Sequence, residues 1–360
     1  MSTDVAGNAE CISAAMGGTV PAKPREVSGA VVSGEEAFER TLRPQVLSEF
    51  VGQTQMRENL ALYIEATKRR GEALDHVLLS GSPGLGKTTL AGIISNELGV
   101  TLHQTSGPAL DRAGDLVGLL TQLDNRDVLF IDEIHRVPVQ VAEYLHAAME
   151  DYVVDVVIDR GPGARSVRIP LQRFTLVGAT TREGLLSGPF RARFGIHEKL
   201  DFYPPDDLAE IVRRSAGILA MRIDDDAAVE IATRARGTPR VANRFLRRIR
   251  DVAEVSECAC VTLDLAREGL RRLGVDVAGL DPMDRKILTV IHNHGGGPVG
   301  LKTIAVSVGE EEDTVEEVYE PFLIQQGFLQ KTPKGRLLGR RAYEHLGLDL
   351  AAPGGQERLC

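Results

Sequence analysis

A chain of 360 residues with 43% hydrophobic and 26% charged residues is long enough for two or three domains with hydrophobic cores. It has no apolar run near the ~18 residues that a membrane-spanning helix needs, and its N-terminus lacks the order of a secretion signal, so we expect a cytoplasmic protein. The net charge of −9 argues against binding of nucleic acid over the whole surface, because such binding depends on neutralising phosphates. Any DNA contact should therefore be local.

Composition and periodicity divide the chain into segments. Residues 1–37 show no sustained period, which is typical of a mobile arm. Between residues 38 and 205, β-prone apolar runs at 76–80, 128–131 and 174–179 alternate with helical patterns. This rhythm predicts an α/β domain with a parallel sheet and helices on both faces. Two strand-like runs around the glycine-rich turn Gly161–Gly163 predict a hairpin at about residues 152–169.

Two smaller domains are predicted after the first. The consecutive prolines Pro204 and Pro205 end the α/β domain, because they can continue neither a helix nor a central strand. Helical patterns over residues 206–277 predict a small all-α domain. Over residues 278–349, three helical patterns and an alternating run around a Pro-Lys-Gly turn predict a winged helix. Residues 350–360 resemble a disordered tail.

A glycine-rich motif follows the first apolar run. Gly81-Ser-Pro-Gly84-Leu-Gly86-Lys87-Thr88 fits the phosphate-binding loop pattern and has the strand before it and the helix after it that such a loop requires. Glycines let backbone N–H groups surround phosphate oxygens, Lys87 can reach the β- and γ-phosphates, and the Thr88 hydroxyl can bind Mg²⁺. The motif predicts ATP and Mg²⁺ as cofactors. The four cysteines have no zinc-ligand spacing, so no other metal is expected.

The second apolar run ends in two adjacent carboxylates, Asp132 and Glu133. A buried strand that ends in this way places the acids at the carboxyl edge of the sheet, beside the phosphate loop. Asp132 is expected to hold Mg²⁺, and Glu133 to polarise the attacking water as a general base. The two motifs together predict ATP hydrolysis.

Further motifs carry a family resemblance. They are Asp-Glu-Ile-His at Asp132–His135, Gly-Ala-Thr-Thr-Arg at Gly178–Arg182, Arg-Ala-Arg-Phe-Gly at Arg191–Gly195 and Gly-Thr-Pro-Arg at Gly237–Arg240. With the phosphate loop, and in this order, they resemble the AAA+ ATPases. Within that class their wording is most similar to the RuvB family of bacterial branch-migration motors. The resemblance runs from Leu42 to Gly347.

The resemblance implies further catalytic roles. Thr181 resembles the sensor residue that orients water near the γ-phosphate. Arg193 resembles the arginine finger that reaches the neighbouring subunit's nucleotide, and Arg191 is the alternative. Arg240 resembles a second sensor, which contacts the phosphates from the helical lid. A cation supplied in trans makes hydrolysis depend on assembly of the ring.

The resemblance also implies the rest of the nucleotide site. Leu42, Arg43 and Tyr203 match positions on its adenine and hinge side. A core leucine, a surface arginine and a packed tyrosine are equally good interpretations of these residues. The other matching residues are Gly84, Gly86 and Thr89 of the loop and Glu150, Asp151 and Tyr152, a segment near the nucleotide at the subunit boundary.

The C-terminal segment combines an acidic helix with a basic ribbon. The third helical pattern, residues 310–326, is so acidic that the phosphates lining a major groove would repel it, so base reading is not expected. The ribbon is basic and predicts contact with the DNA backbone without sequence choice. The resemblance implies that Lys331, Lys334 and Arg336 contact duplex DNA. A solvated run of charge is the alternative interpretation.

The predicted hairpin carries apolar residues, Val167 and Ile169, which could form core or a docking surface. The resemblance implies that a RuvA-type junction-binding protein binds here and that a RuvC-type resolvase is a further partner. It implies a homohexamer that moves duplex DNA at four-way junctions in recombination and repair. A clamp-loader-like or initiator-like ATPase is the alternative. Glu133, Arg193 and the acidic helix disfavour a non-enzymatic winged-helix regulator.

Overall fold

The computed structural model of the protein describes residues 36–157 and 166–347. The predicted tail, the hairpin turn at Gly161–Gly163 and all of the predicted arm except its last two residues lie outside the described residues. The chain divides into two compact units. Among the described residues, the sheet unit comprises 43–81, 85–157 and 166–201, and the helical unit comprises 36–42, 82–84 and 202–347.

A five-stranded parallel sheet forms the centre of the sheet unit. Its strands are β1 (Val77–Ser80), β2 (Leu102–Ser106), β3 (Val128–Asp132), β6 (Thr175–Thr180) and β7 (Ile196–Lys199). The strand order is β2-β3-β6-β1-β7, with β1 pairing in parallel with both β6 and β7. Every residue of β1 and β6 is buried. Strands that are buried throughout must be covered on both faces, as the apolar runs predicted.

The two outer strands, β2 and β7, were not predicted. Both lie at an edge of the sheet, and both are partly exposed along their length. A strand with one open edge tolerates polar residues such as Gln104 and Glu198, so it has no continuous apolar run. The other two strands of the sheet unit, β4 (Val153–Val157) and β5 (Ser166–Pro170), pair antiparallel and form the predicted hairpin.

The helices of the sheet unit bury one face each. Leu90, Ile93 and Ile94 follow helical spacing and are fully buried, so each contributes about 1.5–3 kcal/mol by the usual scale for core side chains. The α-helices of this unit are Thr54–Arg70, Lys87–Leu98, Ala113–Leu120, Val139–Asp151 and the short Gly188–Arg191. The 3-10 turns are Leu47–Glu49, Gly107–Ala109, Ile134–Arg136 and Glu183–Leu185.

The helical unit begins with a bundle. Proline occupies the first position of two of its helices, where its missing N–H costs no hydrogen bond. Its helices are Glu36–Leu42, Pro205–Ile218, Asp225–Arg234, Pro239–Val255 and Leu263–Arg272. None of the helices in the described parts of the chain combines the length and apolar character that a bilayer crossing requires.

The C-terminal part of the helical unit has the predicted helices and ribbon. It contains Pro282–Asn293, Leu301–Val308, Glu312–Thr314, a π-helical turn at Val315–Tyr319, Glu320–Gln325, β8 (Leu329–Thr332), β9 (Gly335–Leu338) and Arg340–Leu346. The π turn was not predicted. Pro321 follows it and has no N–H to donate to the preceding helical turn, which favours a local change of hydrogen-bond pattern. The last helix was not predicted either, and it carries Arg340 and Arg341.

A buried histidine ties the base of the sheet to the helix Val139–Asp151. The Leu176 N–H donates to His76 Nδ1 at 2.9 Å, so the ring proton is on Nε2, which lies 3.2 Å from the Met149 carbonyl oxygen. The ring packs against Phe174 with centroids 5.6 Å apart. Burial lowers the pKa of His76 below its ordinary value of 6.5, although the Met149 contact and Asp75 oppose this.

We expect this histidine to make the sheet unit less stable in acid. The folded state favours neutral His76, so its contribution is complete above pH 6.5 and is lost as the pH falls below that value. One such group changes the free energy of unfolding by at most about 1.4 kcal/mol per pH unit. Thermal unfolding of wild type and His76→Gln at pH 8 and pH 5.5 tests this. The drop in Tm should be smaller in His76→Gln, whereas the exposed loop variant His294→Gln should match wild type.

Candidate active site

The phosphate loop joins β1 to the helix Lys87–Leu98. Three of its glycines, Gly81, Gly84 and Gly86, have φ values of 144°, 81° and 109°, which other residues rarely adopt. A Cβ at Gly81 would also lie 2.6 Å from the Leu200 carbonyl oxygen. Gly86 precedes the helix and has no side chain to cap it, so the first N–H groups of the helix can bind an anion.

Lys87 lies at the start of this helix and is 7% exposed. Its Nζ donates to the Gly81 carbonyl oxygen at 2.7 Å, which holds the ammonium group across the loop. Thr88 and Thr89 follow it and are half-buried. The loop therefore gathers one buried cation, two hydroxyl groups and a helix N-terminus.

The two carboxylates at the end of β3 are half-buried. Since β6 lies between β3 and β1, the carboxyl ends of these strands share one edge with the phosphate loop. The Glu133 N–H donates to Asp132 Oδ1 at 2.9 Å. Glu133 has φ 48° and ψ 46°, a left-handed conformation that is costly for a residue with a side chain. Such strain is common at functional sites.

The Glu133 carboxylate has two polar neighbours. The Thr181 hydroxyl donates to Glu133 Oε2 at 3.2 Å, so the structure brings together the predicted base and the predicted sensor. His135 Nδ1 lies 3.3 Å from the same oxygen and 3.0 Å from Thr180 Oγ1. Burial, followed by the charges of Arg182 and Arg136, lowers the pKa of His135. The lowered pKa favours the neutral imidazole beside the Glu133 carboxylate.

His135 and Thr180 were not assigned roles from the sequence. Both lie inside motifs that were recognised, and Thr180 is next to Thr181, which has a predicted role. Thr180 is the last residue of β6, which lies next to β3 in the sheet. This position is the signal that could have identified both residues. The Arg182 N–H donates to Thr180 Oγ1 at 3.0 Å, so this hydroxyl also shapes the turn that follows β6.

The predicted arginine finger is held by an ion pair. Arg193 Nη2 lies 2.8 Å from Glu150 Oε2, and its Nη1 donates to the Pro189 carbonyl oxygen at 2.8 Å. Burial and then Arg193 lower the pKa of His146, which packs on Phe190. The structure thus joins two residues that the sequence assigned to the subunit boundary.

The neighbouring candidates have other surroundings. Arg191 Nη1 lies 3.9 Å from Glu183 Oε1, at the end of the short helix that precedes Arg193. Asp151 is exposed. Tyr152 is half-buried and has φ 52°. Its ring packs perpendicular to Phe174, with centroids 6.0 Å apart, and Arg173 stacks on it. With these contacts Tyr152 helps to pack the sheet unit.

Besides Gly84, three of the predicted nucleotide-site residues belong to the helical unit. The Arg240 N–H donates to the Gly84 carbonyl oxygen at 3.4 Å within this unit, and Arg240 Nε lies 3.1 Å from Glu39 Oε1. Leu42 is 2% exposed, and its carbonyl oxygen accepts a hydrogen bond from Arg214. Tyr203 is buried, and its N–H donates to the Gly237 carbonyl oxygen. Arg43 lies in the sheet unit and is half-buried.

The ribbon places its three predicted DNA residues in different environments. Lys334 is exposed in the turn between β8 and β9. Lys331 is exposed on β8 and lies 2.7 Å from Glu316 Oε1. Arg336 differs from the expected exposed cation, because it is 8% exposed and forms a bidentate ion pair with Glu320. An arginine on a strand and a carboxylate on a helix can both be buried when they pair with each other. The linear sequence does not show this pairing.

The hairpin residues differ in exposure. Val167 is 43% exposed, whereas Ile169 is half-buried and pairs with Val154, which is fully buried. Asp155 and Arg168 form a bidentate ion pair on the hairpin surface. Val167 is therefore available for docking, and Ile169 contributes partly to the packing of the hairpin.

The donor set fits the predicted cofactors. Hydroxyl and carboxylate oxygens are the ligands that Mg²⁺ prefers, and Thr88 and Asp132 supply one of each at the same edge of the sheet. The left-handed glycines, the helix N-terminus and the buried Lys87 ammonium suit a polyphosphate. The arrangement can bind a nucleoside triphosphate and activate water beside it.

Comparison with known proteins gives one consistent family. Three family profiles match consecutive parts of the chain: the Holliday junction DNA helicase RuvB P-loop domain at residues 42–200, the RuvB AAA lid domain at 203–276 and the RuvB C-terminal winged helix domain at 277–347. The Holliday junction branch migration complex subunit RuvB of Myxococcus xanthus is 57% identical over 324 residues, which is 90% of this chain and 94% of that protein.

Solved structures agree with the sequence comparison. The Thermotoga maritima RuvB Holliday junction branch migration motor is similar with a TM-score of 0.79 and 50% identity, over 86% of this chain and 99% of that chain. A point mutant of the same Thermotoga protein has a TM-score of 0.80, with the same identity and coverage. The similarity therefore extends over the P-loop, lid and winged-helix parts together.

Proposed function

This chain belongs to the RuvB family, and on that premise we propose that it is the ATP-driven motor subunit of a homohexameric ring that moves duplex DNA and drives branch migration of Holliday junctions. The observation that carries this proposal is the 57% identity over 90% of the chain with a RuvB subunit. The chain is a P-loop ATPase of the AAA+ class. The clamp-loader and initiator alternatives are not favoured, because the family match includes the winged helix at residues 277–347.

The phosphate loop and the ends of β3 and β6 carry the hydrolytic chemistry. The loop glycines, Lys87, Thr88 and Thr89 bind the phosphates, and Thr88 with Asp132 would hold Mg²⁺, which would supply positive charge to neutralise the phosphates. Glu133 accepts a proton from the attacking water, and the Thr181 hydroxyl fixes the orientation of its carboxylate. His135 lies near the same carboxylate oxygen and can support it as a neutral partner.

Residues outside the loop complete the nucleotide site. The family resemblance assigns Leu42, Arg43 and Tyr203 to the adenine side and Arg240 to sensing of the phosphates. Its backbone contact with Gly84, 3.4 Å long, supports this assignment, because Gly84 is part of the phosphate loop. Arg193 acts on the nucleotide of the neighbouring subunit, with Glu150, Asp151 and Tyr152 in the same boundary segment. ATP hydrolysis then depends on assembly of the ring, because each active site needs the arginine of a neighbouring subunit.

The winged helix contacts the DNA backbone through its ribbon. Lys331 and Lys334 are exposed and can neutralise phosphates without reading bases. Arg336 supports them from within the ribbon, because its ion pair with Glu320 holds β9 against the preceding helix. A RuvA-type protein docks on the hairpin through Val167 and Ile169, and a RuvC-type resolvase acts on the same junction. The protein works in the cytoplasm.

A strand-exchange assay tests this function. The purified chain, a synthetic four-way junction, ATP and Mg²⁺ are incubated with and without a RuvA-type protein, and the separated duplex products are measured on a native gel. We expect ATP-dependent conversion of the junction that the partner stimulates. A control junction whose heterologous arms cannot migrate should stay intact. ATP hydrolysis that duplex DNA stimulates without any junction conversion would contradict the proposed motor activity.

A further inference from the structure

The acidic helix of the winged-helix domain packs its carboxylates against the basic ribbon. Arg336 on β9 meets Glu320 in a bidentate pair, with Nε 2.5 Å from Oε1 and Nη2 3.0 Å from Oε2. Glu320 is 1% exposed, so this pair is part of the domain core. Removing either partner would leave a buried charge, and the pair therefore holds the ribbon on the helix.

A second pair lies beside the first, but it faces the solvent. Lys331 Nζ on β8 lies 2.7 Å from Glu316 Oε1, and the two side chains are 51% and 33% exposed. The same Glu316 oxygen lies 3.7 Å from Arg336 Nη2. Glu316 thus contacts two cations of the ribbon, the exposed Lys331, which the proposed function assigns to DNA, and the buried Arg336.

We propose that Glu316 is a built-in counter-ion for Lys331, which competes with DNA phosphate for this lysine and sets how tightly the ribbon holds the duplex. The inference rests on the proposed function, because it requires that the ribbon contacts the DNA backbone. Glu320 has a different role. It positions Arg336 and the ribbon, whereas Glu316 is exposed enough to lose its partner without loss of the fold.

The energetics of the exposed pair favour this exchange. An ion pair in contact with water is weak, so a DNA phosphate can replace the Glu316 carboxylate on Lys331. When the phosphate leaves, the Glu316 carboxylate pairs with Lys331 again, so the ammonium group keeps a charged partner. A motor that moves along a duplex must release phosphates repeatedly. A counter-ion 2.7 Å from the lysine lowers the free-energy cost of each release.

Binding of the full-length protein to a fluorescent duplex of arbitrary sequence, with Mg²⁺ and a non-hydrolysable ATP analogue, tests the inference. Anisotropy titrations over a range of salt give Kd and its salt dependence for wild type and Glu316→Gln. We expect Glu316→Gln to bind about 3–10-fold more tightly at low salt, and log K to fall more steeply with log salt by up to about 1. Glu312→Gln removes the same charge from an exposed position of the same helix and should change Kd much less.

A double-mutant cycle with Lys331→Gln identifies the cause. The tighter binding of Glu316→Gln should disappear in the Lys331→Gln background, because the lysine that it releases is gone. Equal tightening in both backgrounds would overturn the inference, since it would show general repulsion of DNA by Glu316. Glu316→Asp keeps the charge and should retain the wild-type Kd, and unchanged thermal unfolding of each variant shows that the domain is folded.

Two failures of the experiment have different meanings. If Lys331→Gln weakens binding but Glu316→Gln does not tighten it, the counter-ion inference is wrong and the DNA contact of the ribbon stands. If Lys331→Gln leaves Kd and its salt dependence unchanged, the ribbon contact in the proposed function is wrong, and the inference fails with it.

Discussion

Replacing Glu133 with glutamine is expected to reduce ATP turnover by about 10²–10⁴-fold, the usual range for loss of a general base. Nucleotide binding should be unchanged, because the phosphate loop and Lys87 hold the phosphates without it. Glutamine has the same shape as glutamate and can still accept the hydrogen bond from the Thr181 hydroxyl. The variant therefore removes the proton acceptor and keeps the surrounding geometry.

Two measurements separate binding from chemistry in this variant. Titration with a fluorescent ATP analogue gives Kd, and release of inorganic phosphate gives kcat. Glu72→Gln is a matched control, since it makes the same change at an exposed position of the sheet unit, where the carboxylate pairs with Arg70. It should have wild-type values for both. Hydrolysis by Glu133→Gln at the wild-type rate would exclude Glu133 as the base and direct attention to its neighbour Asp132.

The central part of the fold could be predicted because its signals are local. Strands β1, β3 and β6 are covered on both faces, so each is a continuous apolar run in the sequence. The edge strands β2 and β7 have partly exposed residues, and their mixed composition does not differ from that of a loop. The π turn at Val315–Tyr319 has no periodic signal of its own, because it is one altered turn inside a helical pattern.

The candidate site could be predicted where its residues are close in sequence. The phosphate loop and Lys87 lie within one short motif, and the spacing alone indicates their chemistry. The contact of Thr181 with Glu133 joins positions 48 residues apart, so it depends on the order of strands in the sheet. The strand-end carboxylates supplied Glu133, the family resemblance supplied Thr181, and only the structure supplied the contact between them.

Ion pairs were the least predictable feature of the molecule. From sequence alone an arginine is expected to be exposed, because the acidic partner that would allow its burial is not known. Glu320 on the preceding helix pairs with Arg336 and allows its burial. Glu150 on the helix Val139–Asp151 pairs with Arg193 and holds its side chain in place. Each pair joins two separate elements, so its formation depends on their packing and not on local composition.

Replacing Arg193 with alanine is expected to reduce ATP hydrolysis by about 10³–10⁵-fold, the usual effect of removing an arginine finger. In the described chain this arginine pairs with Glu150, whose side chain is 63% exposed, so a phosphate of a neighbouring subunit can compete for it. Arg191→Ala is the matched control, because Arg191 lies two residues away and only approaches Glu183, at 3.9 Å. It should keep most of the activity, and the reverse result would transfer the finger role to Arg191.

Mixing inactive variants distinguishes a finger in trans from a residue that acts in its own subunit. Arg193→Ala has an intact phosphate loop, and Lys87→Ala has an intact finger, so each lacks what the other supplies. If rings assemble at random from equal amounts, about a quarter of the interfaces combine an intact loop with an intact finger. Phosphate release should then rise well above that of either variant alone. A mixture as inactive as its components would exclude action in trans, because a residue needed within its own subunit cannot be supplied by a neighbour.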